Sequence, residues 1–342
     1  MINLLIVDDS ALIRKIIKAS LEDVEGINVV GYAVDGEDAL KKISKLKPDI
    51  VTLDMNMPKV NGLEVLRETF DKKPIPFLII SSEPSKDSKE TLLALEEGAV
   101  DFILKPKNIT NKENLDYFKS ILLDKIYLAI KSKPHVFHPI KKKVVHKFSS
   151  KIKKILIIGA STGGPSTISK LFSELPPNLS FPILIVQHMP EGFTKYFAQR
   201  LNLISQFDVK EAENDELISN NVAYICPSDY HMEIYLDENN LYKIKLQKGE
   251  KLNHVRPSID VLSKSVAHLF KKNALLLILT GMGKDGTDGA RSIKKHGGIV
   301  ITQNKESSIL FGMPKSIIDN NLADQIIDLS KMSVLVIKKL DG

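Results

Sequence analysis

The chain has 342 residues, 43% hydrophobic and 26% charged, which suits two ordinary globular domains that each bury a core and excludes a disordered or fibrous composition. Its net charge of +6 is local: nine lysines and no acid lie between Lys131 and Lys154, and taking those nine charges away leaves −3. The basic balance therefore belongs to one stretch and not to a folded face, which argues against nucleic acid as a partner.

No apolar run approaches the roughly 20 residues that span a bilayer, so no membrane insertion is expected. The start M-I-N-L-L-I-V-D-D reaches two acids too soon for a signal peptide. The single cysteine, Cys226, rules out an internal disulfide and fits a reducing cytoplasm.

Residues 1–130 alternate between strand and helix patterns. Leu4–Val7 is a short apolar run. Ser10–Leu21 carries Leu12, Ile13, Ile16 and Ile17 at helical spacing. Val29–Ala33 reads as a strand, Glu37–Leu46 as a helix stopped before Pro48, Ile50–Leu53 as a strand and Gly62–Phe70 as a helix. Phe77–Ile80 reads as a strand, Ser88–Glu97 as a helix ended by Gly98, Val100–Leu104 as a strand and Glu113–Ile130 as a long final helix. Five β–α units predict a doubly wound parallel sheet with helices on both faces, the flavodoxin-like arrangement.

In such a sheet the functional groups gather at the carboxyl ends of the strands. Asp8 and Asp9 end the first strand, Asp54 the third, Ser81 and Ser82 the fourth, and Lys105 the fifth. Three carboxylates at one place repel unless a cation sits among them, and an all-oxygen site of this kind suits Mg²⁺. A lysine and a hydroxyl then complete a pocket for a phosphoryl group. Acidic loop caps beside a surface lysine would have to explain four strand ends independently.

The motifs V-D-D-S at 7–10, L-D-M-N-M-P at 53–58, S-S at 81–82 and K-P at 105–106 resemble a response-regulator receiver domain over residues 1–125, with the final helix extending to 130. The resemblance implies Asp54 as the phosphoacceptor and Mg²⁺ held by Asp8, Asp9, Asp54 and the Asn56 carbonyl. It also implies Ser81, by strand register, as the hydroxyl and Lys105 as the phosphoryl contact. The family often has threonine where this chain has serine.

Residues 131–152 hold two prolines and most of the lysines, with no periodicity, and read as a basic linker. His135, His138 and His146 lie in it; a solvated tether explains them better than a metal site.

From 153 to 342 a second α/β pattern runs. Strands are expected at Ile155–Ile158, Ile183–Val186, Val222–Ile225, Ala274–Leu279 and Ile299–Thr302, with a hairpin of Met232–Leu236 and Leu241–Leu246. Helices are expected at Pro165–Leu175, Thr194–Leu203, Ile259–Phe270 and Thr287–Lys295. The fold class is thus α/β twice over: a five-stranded receiver-like sheet, then a mostly parallel doubly wound sheet with a hairpin.

Its first turn, I-L-I-I-G-A-S-T-G-G at 155–164, lifts Ser161 off a strand end and aims the free N–H groups of the next helix beside it. Gly159–Gly163 matches G-x-S-x-G, although a glycine-rich phosphate turn would look the same. His188 follows the next strand in I-L-I-V-Q-H-M-P, where a base for Ser161 is needed; a strand-capping histidine is the plain alternative. Asp285 lies in the loop of L-L-L-I-L-T-G-M-G-K-D-G, after another strand, where Asp260 and Asp288 have helix-N-terminal explanations of their own. Thr162 beside the serine, and the Met282 N–H, belong to the expected oxyanion loop. The order Ser–His–Asp differs from the Ser–Asp–His of α/β-hydrolases.

I-G-A-S-T-G-G, Q-H-M-P-E-G-F-T, H-V-R-P-S-I-D-V-L, L-T-G-M-G-K-D-G and F-G-M-P together resemble the CheB-type chemotaxis protein-glutamate methylesterases. With the receiver, the resemblance covers nearly the whole chain. It implies a Ser161–His188–Asp285 triad that hydrolyses glutamyl methyl esters on methyl-accepting chemoreceptors and also deamidates receptor glutamines. It further implies activation by phosphoryl transfer from the chemotaxis histidine kinase, and no cofactor in the esterase domain. A response regulator with a non-catalytic output, or a broad small-ester hydrolase, leaves either the serine turn or the receiver unexplained.

Overall fold

A computed structural model describes residues 1–70, 75–82, 90, 91, 93–95, 97–106, 111–131 and 151–341. The chain divides into two compact units, Met1–His138 and Pro139–Gly342. Among the described residues no helix is long and apolar enough to cross a membrane.

The first unit runs β1 (Ile2–Val7), α1 (Ala11–Leu21), β2 (Ile27–Ala33), α2 (Gly36–Leu46), β3 (Ile50–Asp54), α3 (Gly62–Phe70), β4 (Phe77–Ser81), β5 (Asp101–Leu104) and α4 (Lys112–Lys131). All strand pairs are parallel, in the order β2-β1-β3-β4-β5. The apolar runs of β3 and β4 are buried throughout, as central parallel strands covered on both faces must be. Ser10 caps α1 by accepting from the Ile13 N–H, and Asp35 caps α2 by accepting from the Asp38 N–H. The helix expected over 88–97 lies partly outside the described residues; 90, 91 and 93–95 are helical. The basic segment 132–150 lies outside them altogether.

The second unit runs β6 (Ile155–Ala160), α5 (Gly164–Glu174), β7 (Ile183–Gln187), α6 (Phe193–Ile204), β8 (Asp208–Glu211), β9 (Val222–Ile225), β10 (His231–Leu236) and β11 (Tyr242–Gln247). It continues with α7 (Ile259–Phe270), β12 (Ala274–Ile278), α8 (Thr287–Lys295), β13 (Ile299–Gln303), α9 (Met313–Asp319), β14 (Gln325–Ile327) and α10 (Met332–Leu340). Seven parallel strands lie in the order β14-β13-β12-β6-β7-β9-β8, and β10 and β11 form the antiparallel hairpin. The chain leaves β6 toward β7 on one side and later returns to β12 on the other. The strand order reverses there, and it is outside the carboxyl ends of such strands that doubly wound sheets bind ligands.

Four elements have no counterpart in the sequence reading: β8, β14, α9 and α10. The two strands are the sheet's edges. D-V-K-E buries only Val209, and Q-I-I buries none of its three residues, so neither shows a core pattern. Helix α9 opens on Met313-Pro314, where proline's lack of an N–H is harmless in a first turn.

Helix α2 approaches the following β3–α3 loop closely because it begins with glycine. A Cβ on Gly36 would lie 2.1 Å from the Val60 carbonyl oxygen, a backbone atom that cannot swing aside. Gly36→Ala is therefore expected to destabilise the first unit by about 1–3 kcal/mol, as overpacking does, with a matching drop in its urea midpoint. An unchanged midpoint would show that this loop yields freely.

Candidate active site and acidic pocket

At the carboxyl edge of the first sheet, β1 delivers Asp8 and β3 delivers Asp54, both buried, with Asp9 exposed beside them. One carboxylate oxygen from each lies within 4.8 Å of the others. Lys105, carried past the end of β5, sits 2.7 Å from Asp54 Oδ2 and 2.9 Å from Asp8 Oδ2. Ser81, the last residue of β4, is buried, and its carbonyl accepts from the Lys105 N–H at 2.7 Å. The Asn56 N–H donates to Asp54 Oδ1 at 3.3 Å. The sequence reading did not include Arg14, one turn into α1, whose guanidinium donates to the Asp8 and Asp9 carbonyls at 2.6 and 3.0 Å.

The charge balance of this pocket is incomplete. One lysine faces two buried carboxylates. Burial, the largest effect, together with the Asp8 charge, pushes the Asp54 carboxyl up to about 6 even though Lys105 pulls it down. Burial likewise raises Asp8. Asp8 Oδ2 is ion-paired with Lys105 Nζ, and its Oδ1 accepts from the Ser10 N–H at 2.9 Å. Three carboxylates gathered around a single lysine, two of them buried, fit a hard divalent cation.

In the second unit three strand ends converge. The Ser161 N–H donates to the Thr280 carbonyl at 3.0 Å, and the His188 N–H to the Ala160 carbonyl at 3.0 Å, so the loops after β6, β7 and β12 are laced together. Gly281 passes so near Ser161 that a Cβ on it would lie 2.8 Å from the serine Cβ. His188 Nε2 lies 2.9 Å from Asp285 Oδ2. A carboxylate only accepts, so Nε2 carries a proton. Among the described residues Ser161 Oγ makes no hydrogen bond to His188. The backbone N–H groups of Thr162, in the serine turn, and of Met282, in the loop after β12, make no hydrogen bond among the described residues.

Asp285 is held by more than the histidine. Its Oδ1 accepts from the Ser258 hydroxyl at 2.8 Å and the Asp260 N–H at 3.3 Å, and its Oδ2 also accepts from the Ile259 N–H at 2.7 Å. Those groups form the N-terminus of α7, whose free N–H donors and dipole favour a negative charge. Burial pushes the Asp285 carboxyl up, but His188 and these donors outweigh it and hold it below the usual range. The sequence reading had no role for Ser258. Its only trace was the serine directly before the expected helix start, a capping position.

Asp260, one residue into α7, is buried next to Asp285. It accepts from the Gly289 N–H at 2.7 Å and the Asn253 amide at 3.3 Å. Asp288 pairs with Arg291 on the surface. Arg256 lines no part of the serine turn: its guanidinium binds Asp229 and the Gly249 carbonyl and braces the loop that leads to α7.

Two carboxyls cannot both ionise cheaply in one buried spot. Burial, and then the Asp285 charge, raise Asp260 to about 6, from 3.8 when exposed. Between those values the folded state keeps a proton that the unfolded chain releases. Stability is therefore lost as pH rises from about 4 to 6 and stays lost above that. Asp260→Asn retains the acceptor for Gly289 and can donate to Asp285. It should stabilise the second unit by on the order of 1–3 kcal/mol at pH 7.5, with the gain shrinking by pH 4. Denaturant midpoints at the two pH values check this; an equal offset at both would refute the buried-pair account.

Comparison with known proteins agrees with this division of labour. Residues 4–114 match the family model described as "Response regulator receiver domain", and residues 156–336 match "CheB methylesterase". A protein-glutamate methylesterase/protein-glutamine glutaminase of Pyrococcus abyssi is 39% identical, over 99% of this chain and 94% of its own. The protein of the same name from Thermotoga maritima is 39% identical, over 97% and 96%. The crystal structure of the Thermotoga maritima CheB methylesterase catalytic domain is 43% identical and superposes with a TM-score of 0.53, covering 54% of this chain and 97% of that one. With a receiver sheet ahead of a serine turn that faces a histidine–aspartate pair, this chain belongs to the CheB methylesterase family.

Proposed function

We propose that this protein hydrolyses glutamyl methyl esters on chemoreceptor helices, and deamidates receptor glutamines, at Ser161, and that phosphorylation of Asp54 raises this activity. The observation that carries the reading is the 2.9 Å contact of His188 Nε2 with the buried Asp285 carboxylate, beside the turn that presents Ser161. The relatives named above carry both activities in their names, and acyl transfer at a serine accounts for both.

In this reading His188 Nδ1 takes the Ser161 proton as Oγ attacks the side-chain carbonyl of the substrate. The Asp285 charge stabilises the imidazolium that forms, held in orientation by α7. The free N–H groups of Thr162 and Met282 meet the oxyanion. The imidazolium then returns its proton to the departing methanol or ammonia. Water, activated by the same nitrogen, cleaves the acyl-enzyme to a carboxylate and regenerates the serine. Ser161 and His188 need to close up only when substrate fills the crevice, as catalytic contacts that are loose in the free enzyme often do.

For the receiver, residues 1–125, we assign Asp54 as the phosphoacceptor, with a histidine kinase as donor. Asp8, Asp9, Asp54 and the Asn56 carbonyl would hold Mg²⁺, which neutralises phosphoryl oxygens when bound. Lys105 and Ser81 would hold the phosphoryl group on Asp54. Residues 131–152 would tether this switch to the esterase, residues 153–342, in the cytoplasm.

Ser161→Ala is expected to abolish methanol release from methyl-labelled receptor membranes and labelling by a fluorophosphonate, with thermal stability nearly unchanged. Residual turnover above about 1% of the parent would refute the nucleophile, since removal of a triad member usually costs more than that.

Asp54→Asn is expected to leave basal methanol release intact and to abolish its rise with acetyl phosphate and Mg²⁺. Chelating Mg²⁺ should block the rise in the parent as well. A variant that still responds fully would move the phosphoacceptor elsewhere.

A further inference from the structure

The nucleophile and the base stand on neighbouring strands, and their backbone ladder ends just short of them. Its last rung is the 3.0 Å bond from the His188 N–H to the Ala160 carbonyl. Beyond it the two chains part, Ser161 into its turn and His188 toward Asp285. Something must hold the two loops at one separation, because a displacement of about 1 Å between reacting groups can cost a hundredfold in rate.

Gln187, the last residue of β7, is 1% exposed and lies across this gap. Its side-chain nitrogen donates to the Ser161 carbonyl at 2.8 Å and to the His188 carbonyl at 2.9 Å. Both partners can only accept, so the amide nitrogen, with its two hydrogens, faces them. The side chain thus supplies the rung that the backbone cannot, directly between the two catalytic loops. Its oxygen lies toward the start of α5, without a hydrogen-bond partner among the described residues. Room for it exists because residue 164 is glycine: a Cβ on Gly164 would lie 1.8 Å from Gln187 Oε1. A buried amide that gives both its hydrogens to the backbone carbonyls of Ser161 and His188 points to position, not stability, as its contribution.

Resting on the hydrolase reading above, we propose that Gln187 is a positioning residue that sets the distance between Ser161 and His188, and that Gly164 is glycine to admit it. Gln187 touches neither substrate nor reacting atoms. Its removal should slow the chemical step and leave receptor binding alone.

The test uses the full-length protein, a fluorophosphonate probe for the reactivity of Ser161, and methyl-labelled receptor membranes for turnover. Gln187→Met keeps the length of the side chain and removes both donors. It should lower the labelling rate and kcat about ten- to hundredfold with KM within about twofold, measured per folded molecule by endpoint labelling. Gly164→Ala, which leaves the glutamine itself intact, should lower the same two rates by displacing it. The double variant should be no slower than the slower single, since both act on one contact. Parental labelling and kcat in Gln187→Met, a loss seen only as a smaller folded fraction, or fully additive losses in the double variant would each overturn the proposal. If the parent protein leaves Ser161 unlabelled, the hydrolase reading fails first and this inference falls with it.

Discussion

Asp285 carries a negative charge in a place that water barely reaches. An isolated carboxylate so buried would take up a proton or cost several kcal/mol. Here four donors meet its two oxygens, and two of them are the first N–H groups of α7. The charge therefore depends on where that helix starts, and the start is set by packing. Ile259, the first residue of α7, lies against Gly159 of β6, where a Cβ would come within 2.6 Å of the isoleucine side chain. A glycine in a strand thus seats an isoleucine, which seats a helix end, which keeps an aspartate ionised. That aspartate fixes the side of the imidazole that carries a proton, Nε2.

The acidic pocket of the first unit faces the same problem and resolves it differently. Asp8 and Asp54 share one ammonium group, and each accepts one backbone N–H besides, from Ser10 and Asn56. Their carboxyls are pushed up where that of Asp285 is held down. A carboxylate satisfied by fixed protein donors keeps one state. A pair left short of positive charge responds to whatever cation or phosphoryl group arrives.

Most of the strands and helices were legible because each carries its own pattern. Central strands carry unbroken apolar runs such as Ile155–Ile158 and Ile183–Val186, and α8 was expected over the residues it occupies. The edges of the second sheet were not, since strands of three or four residues that bury at most one of them have no period to read. Ser161, His188, Asp54 and Lys105 stood out because each follows a strand end in a motif. Gln187 was hidden at the end of such a run, where a polar residue at a strand's last position looks like an ordinary terminus. Ser258 and Arg14 act on backbone or carboxylate groups distant in sequence or a turn away, and nothing in their local sequence announces a partner.

The sequence by itself determined two α/β units, their strand ends and the residue types gathered there, since these follow from local periodicity and from the rule that parallel sheets expose their carboxyl ends. It left Asp260, Asp285 and Asp288 as three acids within thirty residues, to be separated only by where a loop was expected. The tertiary structure decided among them for the contact with His188. Asp288 faces solvent and Arg291; Asp260 turns toward the Gly289 N–H and takes a raised pKa; Asp285 meets the imidazole. Side-chain direction, burial and the position of a helix end settle that choice, and all three arise from packing between segments far apart in the chain.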